Sequence, residues 1–153
     1  MKSVNRFFGI PSRQWYKDPL YWGALGLAPL CWLVLTLLGV SSAGSELAIV
    51  TLLLVAFVSP VLEEIVFRGG IQEFLLRYDA LAKIQFGISL ANIVTSVLFA
   101  ALHLISQPPL WSALIFFPSL VFGWARDRYQ SLWPPIALHA FYNLGFVLLF
   151  SAN

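Results

Sequence analysis

Apolar residues run through this chain in five blocks, at about 20–40, 47–62, 84–105, 109–125 and 134–151, each bounded by polar or turn-forming residues. A helix needs roughly 17–25 apolar residues to cross a bilayer core, where it satisfies its own backbone hydrogen bonds. The pattern predicts an all-α membrane protein with about five transmembrane helices. Residues 63–83 continue the second block with Leu75 and Leu76 set beside Glu73 and Arg77, which predicts an amphipathic cytoplasmic helical extension. Pro60 precedes that extension and predicts a kink. Pro108-Pro109 and Pro134-Pro135 suit the first turns of helices. Residues 1–19 form a basic, aromatic lead-in expected at the membrane surface. Residues 20–153 read as one domain without a repeat, linker or low-complexity tract.

Composition supports this class. The chain is 59% hydrophobic and 10% charged, with mean hydropathy +0.82, whereas soluble domains carry about 25% charged residues. A net charge of +2 is too small for a nucleic-acid partner, and the lipid bilayer is the partner expected instead. Cys31 is the single cysteine and lies in an apolar run, so it forms no internal disulfide and reads as a small hydrophobe. The basic start followed by the block at 20–40 resembles a signal peptide, but its length fits an uncleaved signal-anchor better.

All nine Lys and Arg residues fall on one side of a five-span drawing. Lys2, Arg6, Arg13 and Lys17 precede the first span; Arg68, Arg77 and Lys83 lie between spans two and three; Arg126 and Arg128 lie between spans four and five. The opposite loops, Ser41–Glu46 and Ser106–Pro108, carry none. The positive-inside rule then places the N-terminus in the cytoplasm and the C-terminus outside. Trp15, Tyr16, Tyr21, Trp22, Trp124, Tyr129 and Trp133 are expected to form an aromatic belt at the cytoplasmic interface.

Ionisable groups within a span cost roughly 2.5–3.5 kcal/mol each and mark function by default. Glu63 and Glu64 stand together, with Arg68 four residues after Glu64, so these two share a helix face and can pair. Glu63 points about 100° away, free to face a cavity. Phe99 and His103 repeat the four-residue spacing on the third block, and His139 and Asn143 on the fifth. Each pattern alone has a structural reading: a charge cluster at a helix exit, a satisfied histidine near a helix end, or interhelical hydrogen-bonding glue. Together they use both histidines of the chain.

The ordered set Glu-Glu-x-x-x-Arg, Phe-x-x-x-His and His-x-x-x-Asn resembles the CAAX-protease and bacteriocin-processing family of intramembrane glutamic endopeptidases. Glu63 to Gly70 resembles its first motif with the trailing glycine, Phe99 to His103 its second, and Ser131 to Asn143 its third with a Leu-Trp-Pro-Pro lead-in. The resemblance covers about residues 47–145, and the chain is short beside larger members. It implies a general base at Glu63, with His103 holding the same water. Asn143 would stabilise the oxyanion with help from His139, and Glu64 and Arg68 would fix the helix geometry. Two histidines and two carboxylates could ligate zinc. However, the chain lacks His-Glu-x-x-His, and the adjacent glutamates cannot both face one ion from a regular helix. No cofactor is therefore expected.

The implied substrate is a protein or peptide with a membrane-associated C-terminal region: a prenylated CAAX protein, a bacteriocin-type peptide or a protein with a sorting tail. The small size favours a processing role in a prokaryotic inner membrane. The alternatives are a non-enzymatic immunity or scaffold protein retaining the fold, and a small proton-relay transporter, which the lack of an inverted repeat disfavours. One tension accompanies the reading. In the simple drawing His103 ends the third span near the outside, while His139 starts the fifth near the cytoplasm, yet both have to meet Glu63.

Overall fold

The computed structural model describes residue 11, residues 14–39 and residues 49–150. Most of the basic lead-in, the loop at 41–46 and the last three residues lie outside that set. The described residues form five helical rods. The first is α1 (Pro19–Gly26) and α2 (Ala28–Leu37), parted at Leu27. The second runs over 49–75 and comprises α3 (Ile49–Leu53), a π-helical turn (Leu54–Val58), α4 (Ser59–Glu64), a second π-helical stretch (Ile65–Gln72) and α5 (Glu73–Leu75). The others are α6 (Leu90–His103), α7 (Pro109–Tyr129) and α8 (Trp133–Phe150).

Local chemistry sets the helix starts. The Asp18 carboxylate caps α1 by accepting from Leu20 N at 3.0 Å, and Pro19 opens it. Ser89 Oγ accepts from Asn92 N at 3.0 Å to cap α6, satisfying one donor that a helix start leaves unpaired. Pro109 opens α7, and Pro134 and Pro135 sit in the first turn of α8, as their sequence positions predict.

Two boundaries depart from expectation. Residues 84–89 are not helical: β1 (Ile84–Gln85) and β2 (Ile88–Ser89) pair antiparallel, with Gln85 opposite Ile88. Phe86 and Gly87, both at positive φ (53° and 83°), make the two-residue turn, the geometry that matches strand twist in a tight hairpin. The extension expected over 63–83 stops at Leu75. Arg77 N and Tyr78 N bond carbonyls three residues back, at Phe74 and Leu75, so the last turn tightens and the chain bends back. Ala91 N then bonds Leu81 O at 2.9 Å to launch α6.

Several polar side chains are fully buried while many large apolar ones are exposed. Glu64, Arg68, Gln72, Asn92, Thr95, Ser96 and Ser119 have no exposed surface, whereas Leu30, Leu37, Phe57, Val97, Leu102 and Leu148 are exposed. Arg68 and Arg126, counted among the cations between spans, are buried: Arg68 pairs with Glu64, as their four-residue helical spacing predicts, and Arg126 pairs with Glu73 at 2.6 Å. The residues expected in the aromatic belt differ in exposure. Tyr21 and Tyr129 are buried, with ring centroids 6.0 Å apart, while Tyr16, Trp22 and Trp133 are exposed.

The first rod is tied to α7 and α8 through a cluster that includes Tyr21, Ala24, Ala28, Phe122, Ala125, Leu138 and Tyr142. Aromatic polar tips find backbone partners across it. Tyr142 Oη donates to Ala24 O at 2.7 Å, Tyr21 Oη to Pro134 O at 3.2 Å and Trp32 Nε1 to Tyr142 O at 3.2 Å. At the end of α7, Arg128 Nη2 lies 2.8 Å from the Asp18 carboxylate. Contact between α6 and α7 is close because Gly123 has no side chain: Asn92 occupies the space a β-carbon would fill, donating to Leu120 O at 3.0 Å. Small residues at a helix interface allow such approach.

Gly123→Ala should therefore destabilise the protein by about 1–3 kcal/mol through overpacking. Gly26→Ala, whose added methyl meets nothing within 4 Å, should be neutral or stabilising by up to about 1 kcal/mol. Thermal unfolding of the purified protein in detergent measures both, and equal effects would contradict this packing.

Candidate active site

The site is built on the second rod, where two π-helical stretches flank the six residues of α4 that carry both glutamates. In the first stretch the register is i to i+5: Ser59 N bonds Leu54 O. The next bond in that register would run from residue 60 to Val55 O, and Pro60 has no N–H to give. The freed carbonyl is taken by Asn143, whose Nδ2 donates to Val55 O at 3.0 Å. Pro60 thus acts through a π-helical turn, a device often found at functional sites. The Asn143 amide, expected as an oxyanion donor, is committed through one N–H to the second rod and keeps one N–H beyond that bond.

Glu64 is fully buried and divides its two oxygens. Oε2 accepts from Arg68 Nε at 3.2 Å, and Oε1 accepts from His139 Nδ1 at 2.9 Å. A carboxylate only accepts, so Nδ1 carries the proton and Nε2 is the ring's other face to the site. That Nε2 lies 3.7 Å from Glu63 Oε2. The ring plane is fixed from the side by Phe122, stacked at 4.5 Å with 17° between planes.

His103 is set the same way by a different partner. Its Nδ1 lies 2.8 Å from Phe99 O; a carbonyl only accepts, so again Nδ1 carries the proton and Nε2 remains. Phe99 lies among these groups, its ring centroid 4.6 Å from that of His103 and 5.8 Å from that of His139, with the Arg68 guanidinium over its face at 5.8 Å.

Glu63, His103, His139 and Asn143 line one cavity of about 230 Å³, together with Phe99, Ser59 and Tyr142 among others. The tension between the two histidines disappears for two reasons. At 14 residues, α6 is about 21 Å long, shorter than the third block of 84–105 from which the span was drawn. Helical side chains also lean toward the N-terminus, which carries the His103 ring back over Phe99. His139 is meanwhile the seventh residue of α8, about 9 Å in from its start.

Behind the glutamates runs a polar chain that sequence reasoning missed. Arg68 Nη2 donates to Ser119 Oγ at 2.6 Å and to Ser119 O at 2.9 Å, and Nη1 approaches Gln72 Oε1 at 3.5 Å. Gln72 Nε2 donates to Asp127 Oδ1 at 2.8 Å and to Gly123 O at 3.1 Å. Asp127 Oδ2 accepts from Ser89 N at 3.1 Å. The spacing from Arg68 to Gln72 repeats the four-residue step from Glu64 to Arg68, a signal available in the sequence. Ser119 and Phe122, inside an apolar block, carried none.

The family model described as Type II CAAX prenyl endopeptidase Rce1-like matches residues 45–145. Neither a curated protein nor a solved structure matches the chain. The matched stretch spans both flanking π turns, all three motifs and the cavity residues Glu63, His103, His139 and Asn143, and the chain belongs to the type II CAAX prenyl endopeptidase Rce1-like family.

Proposed function

We propose that the protein is an intramembrane glutamic endopeptidase that hydrolyses a peptide bond near the C-terminus of a membrane-associated protein or peptide. Family membership supports a protease of the CAAX type. The observation that carries the finer reading is one cavity lined by Glu63, His103, His139 and Asn143, in which each Nδ1 is already engaged.

Peptide hydrolysis requires a base for water, donors for the oxyanion and a proton for the leaving amine. Glu63 takes the proton of the attacking water while His103 Nε2 holds that water. The second N–H of Asn143 donates to the oxyanion, and His139, held by Glu64, stands with its Nε2 3.7 Å from Glu63. Glu63 then returns the proton to the leaving nitrogen, which departs as an amine while the acyl carbon keeps the water oxygen. The scheme uses no metal. Both oxygens of Glu64 are taken by Arg68 and His139, which supports this reading of the donor set.

Apolar side chains facing outward over the rods support a bilayer around them, since exposed apolar surface on this scale is not kept in water. Two helices, Pro19–Leu37 and Trp133–Phe150, are long and apolar enough to cross. The remaining rods are shorter, interrupted by π turns or charged at one end. The protein is then a multi-pass membrane protein with its N-terminus cytoplasmic, and the substrate arrives with its cleavage site at bilayer depth.

Glu63→Gln should lower turnover by about 10²–10⁴-fold, the worth of a positioned general base, with unchanged thermal unfolding. The assay is mass-spectrometric detection of cleavage in a reconstituted panel: a prenylated CAAX peptide, a bacteriocin-type precursor and a sorting-tail protein. Retained cleavage by Glu63→Gln would overturn the assignment. A second outcome concerns the mechanism's class. Turnover should persist in EDTA and in 1,10-phenanthroline, and loss that zinc restores would replace the glutamic scheme with a metal-dependent one.

A further inference from the structure

We propose that Ser119, with Gln72 and Asp127 behind it, is a positioning residue for His139. The inference deepens the proteolytic reading and rests on it for the meaning of turnover, but its geometry stands on hydrogen bonds alone.

A buried guanidinium has to have its donors satisfied. Arg68 has no exposed surface, and its five N–H donors each lose water on burial. Glu64 meets it with one oxygen, its other oxygen holding His139 Nδ1 at 2.9 Å. With a single contact to Arg68 Nε at 3.2 Å, the carboxylate's direction depends on where the guanidinium is held. That placement is set from another helix: Ser119 Oγ and Ser119 O on α7 take Nη2 at 2.6 and 2.9 Å.

Gln72 closes the other side and is itself fixed by Asp127 Oδ1 at 2.8 Å and Gly123 O at 3.1 Å. Asp127 is anchored in turn by Ser89 N at 3.1 Å. The bonds therefore run without a break from the start of α6, through α7 and the second rod, to the imidazole on α8. Ser119 and Gln72 have no exposed surface, and a buried hydroxyl or amide is costly unless bonded. Glue between helices would explain their satisfaction. It would not explain why the chain of bonds ends on the ring nitrogen of a residue lining the reactive cavity.

The test uses the full-length protein labelled with ¹⁵N-histidine, whose spectrum contains only two imidazoles because the chain has two histidines. His103→Gln assigns them. Ser119→Ala should move the His139 Nδ1 signal in the direction produced by Glu64→Gln. It should also lower kcat by about 10- to 100-fold, the scale of a small misplacement of a reacting group, with KM within about twofold. Ser112→Ala, which removes another buried hydroxyl from the same helix, should move neither. Should Ser119→Ala fail to fold, Gln72→Met, of similar volume, gives the same reading at one bond's remove. An unmoved His139 signal in a folded variant would overturn the proposal. A moved signal in a protein that cleaves nothing would sustain the brace and count against the proteolytic reading instead.

Discussion

Everything in this architecture depends on placing a carboxylate and a guanidinium, Glu64 and Arg68, where neither has any exposed surface. Removing one partner from such a pair costs about 3–5 kcal/mol, because the other is left uncompensated. Replacing both with apolar side chains of similar volume is often neutral or favourable. The pair is therefore poor evidence for stability in its own right. Its consequence is directional: one Glu64 oxygen is spent on Arg68 and the other on His139, so the charge that neutralises the carboxylate also aims an imidazole.

The same economy recurs around the cavity. Asn143 fills the carbonyl that Pro60 leaves without a donor, and in doing so locks α8 to the second rod. Phe99 O takes the proton side of the His103 ring. His103, His139 and Asn143 each have one polar atom bonded to the scaffold and a second polar atom beyond that bond. Such preorganisation allows a reaction to proceed without reorienting dipoles as charge develops. Buried polar residues sit beside a buried apolar core, while many large apolar side chains are exposed.

Much of this was legible in the sequence because it rests on spacing. The four-residue steps of Glu64 to Arg68, Phe99 to His103 and His139 to Asn143 each produce a contact or a shared cavity wall, and prolines 109, 134 and 135 open helices as their chemistry requires. The misses have a common physical origin. Hydropathy counted Ile84 and Ile88 toward a helix, although the turn at Phe86 and Gly87 makes them a hairpin. Charge counting set Arg68 among the cations between spans, although it is fully buried and bonded by Glu64, Ser119 and Gln72. Period alone does not reveal a π turn, and Ser119 becomes significant only when α7 lies against the second rod.

The central claim is that side chains from separate helices meet at one point inside the apolar envelope. Cross-linking tests it most directly. Cys31 lines the same cavity, so the background is Cys31→Ser, into which Glu63→Cys and His139→Cys are introduced together. Glu63 and His139 approach to 3.7 Å, and a short bifunctional thiol reagent should bridge the two cysteines within one chain, giving a single mass adduct that resists a second alkylation. A control pair, Arg77→Cys with His139→Cys, should remain unbridged. Folded protein in which residues 63 and 139 each react separately, with no bridge between them, would contradict the account.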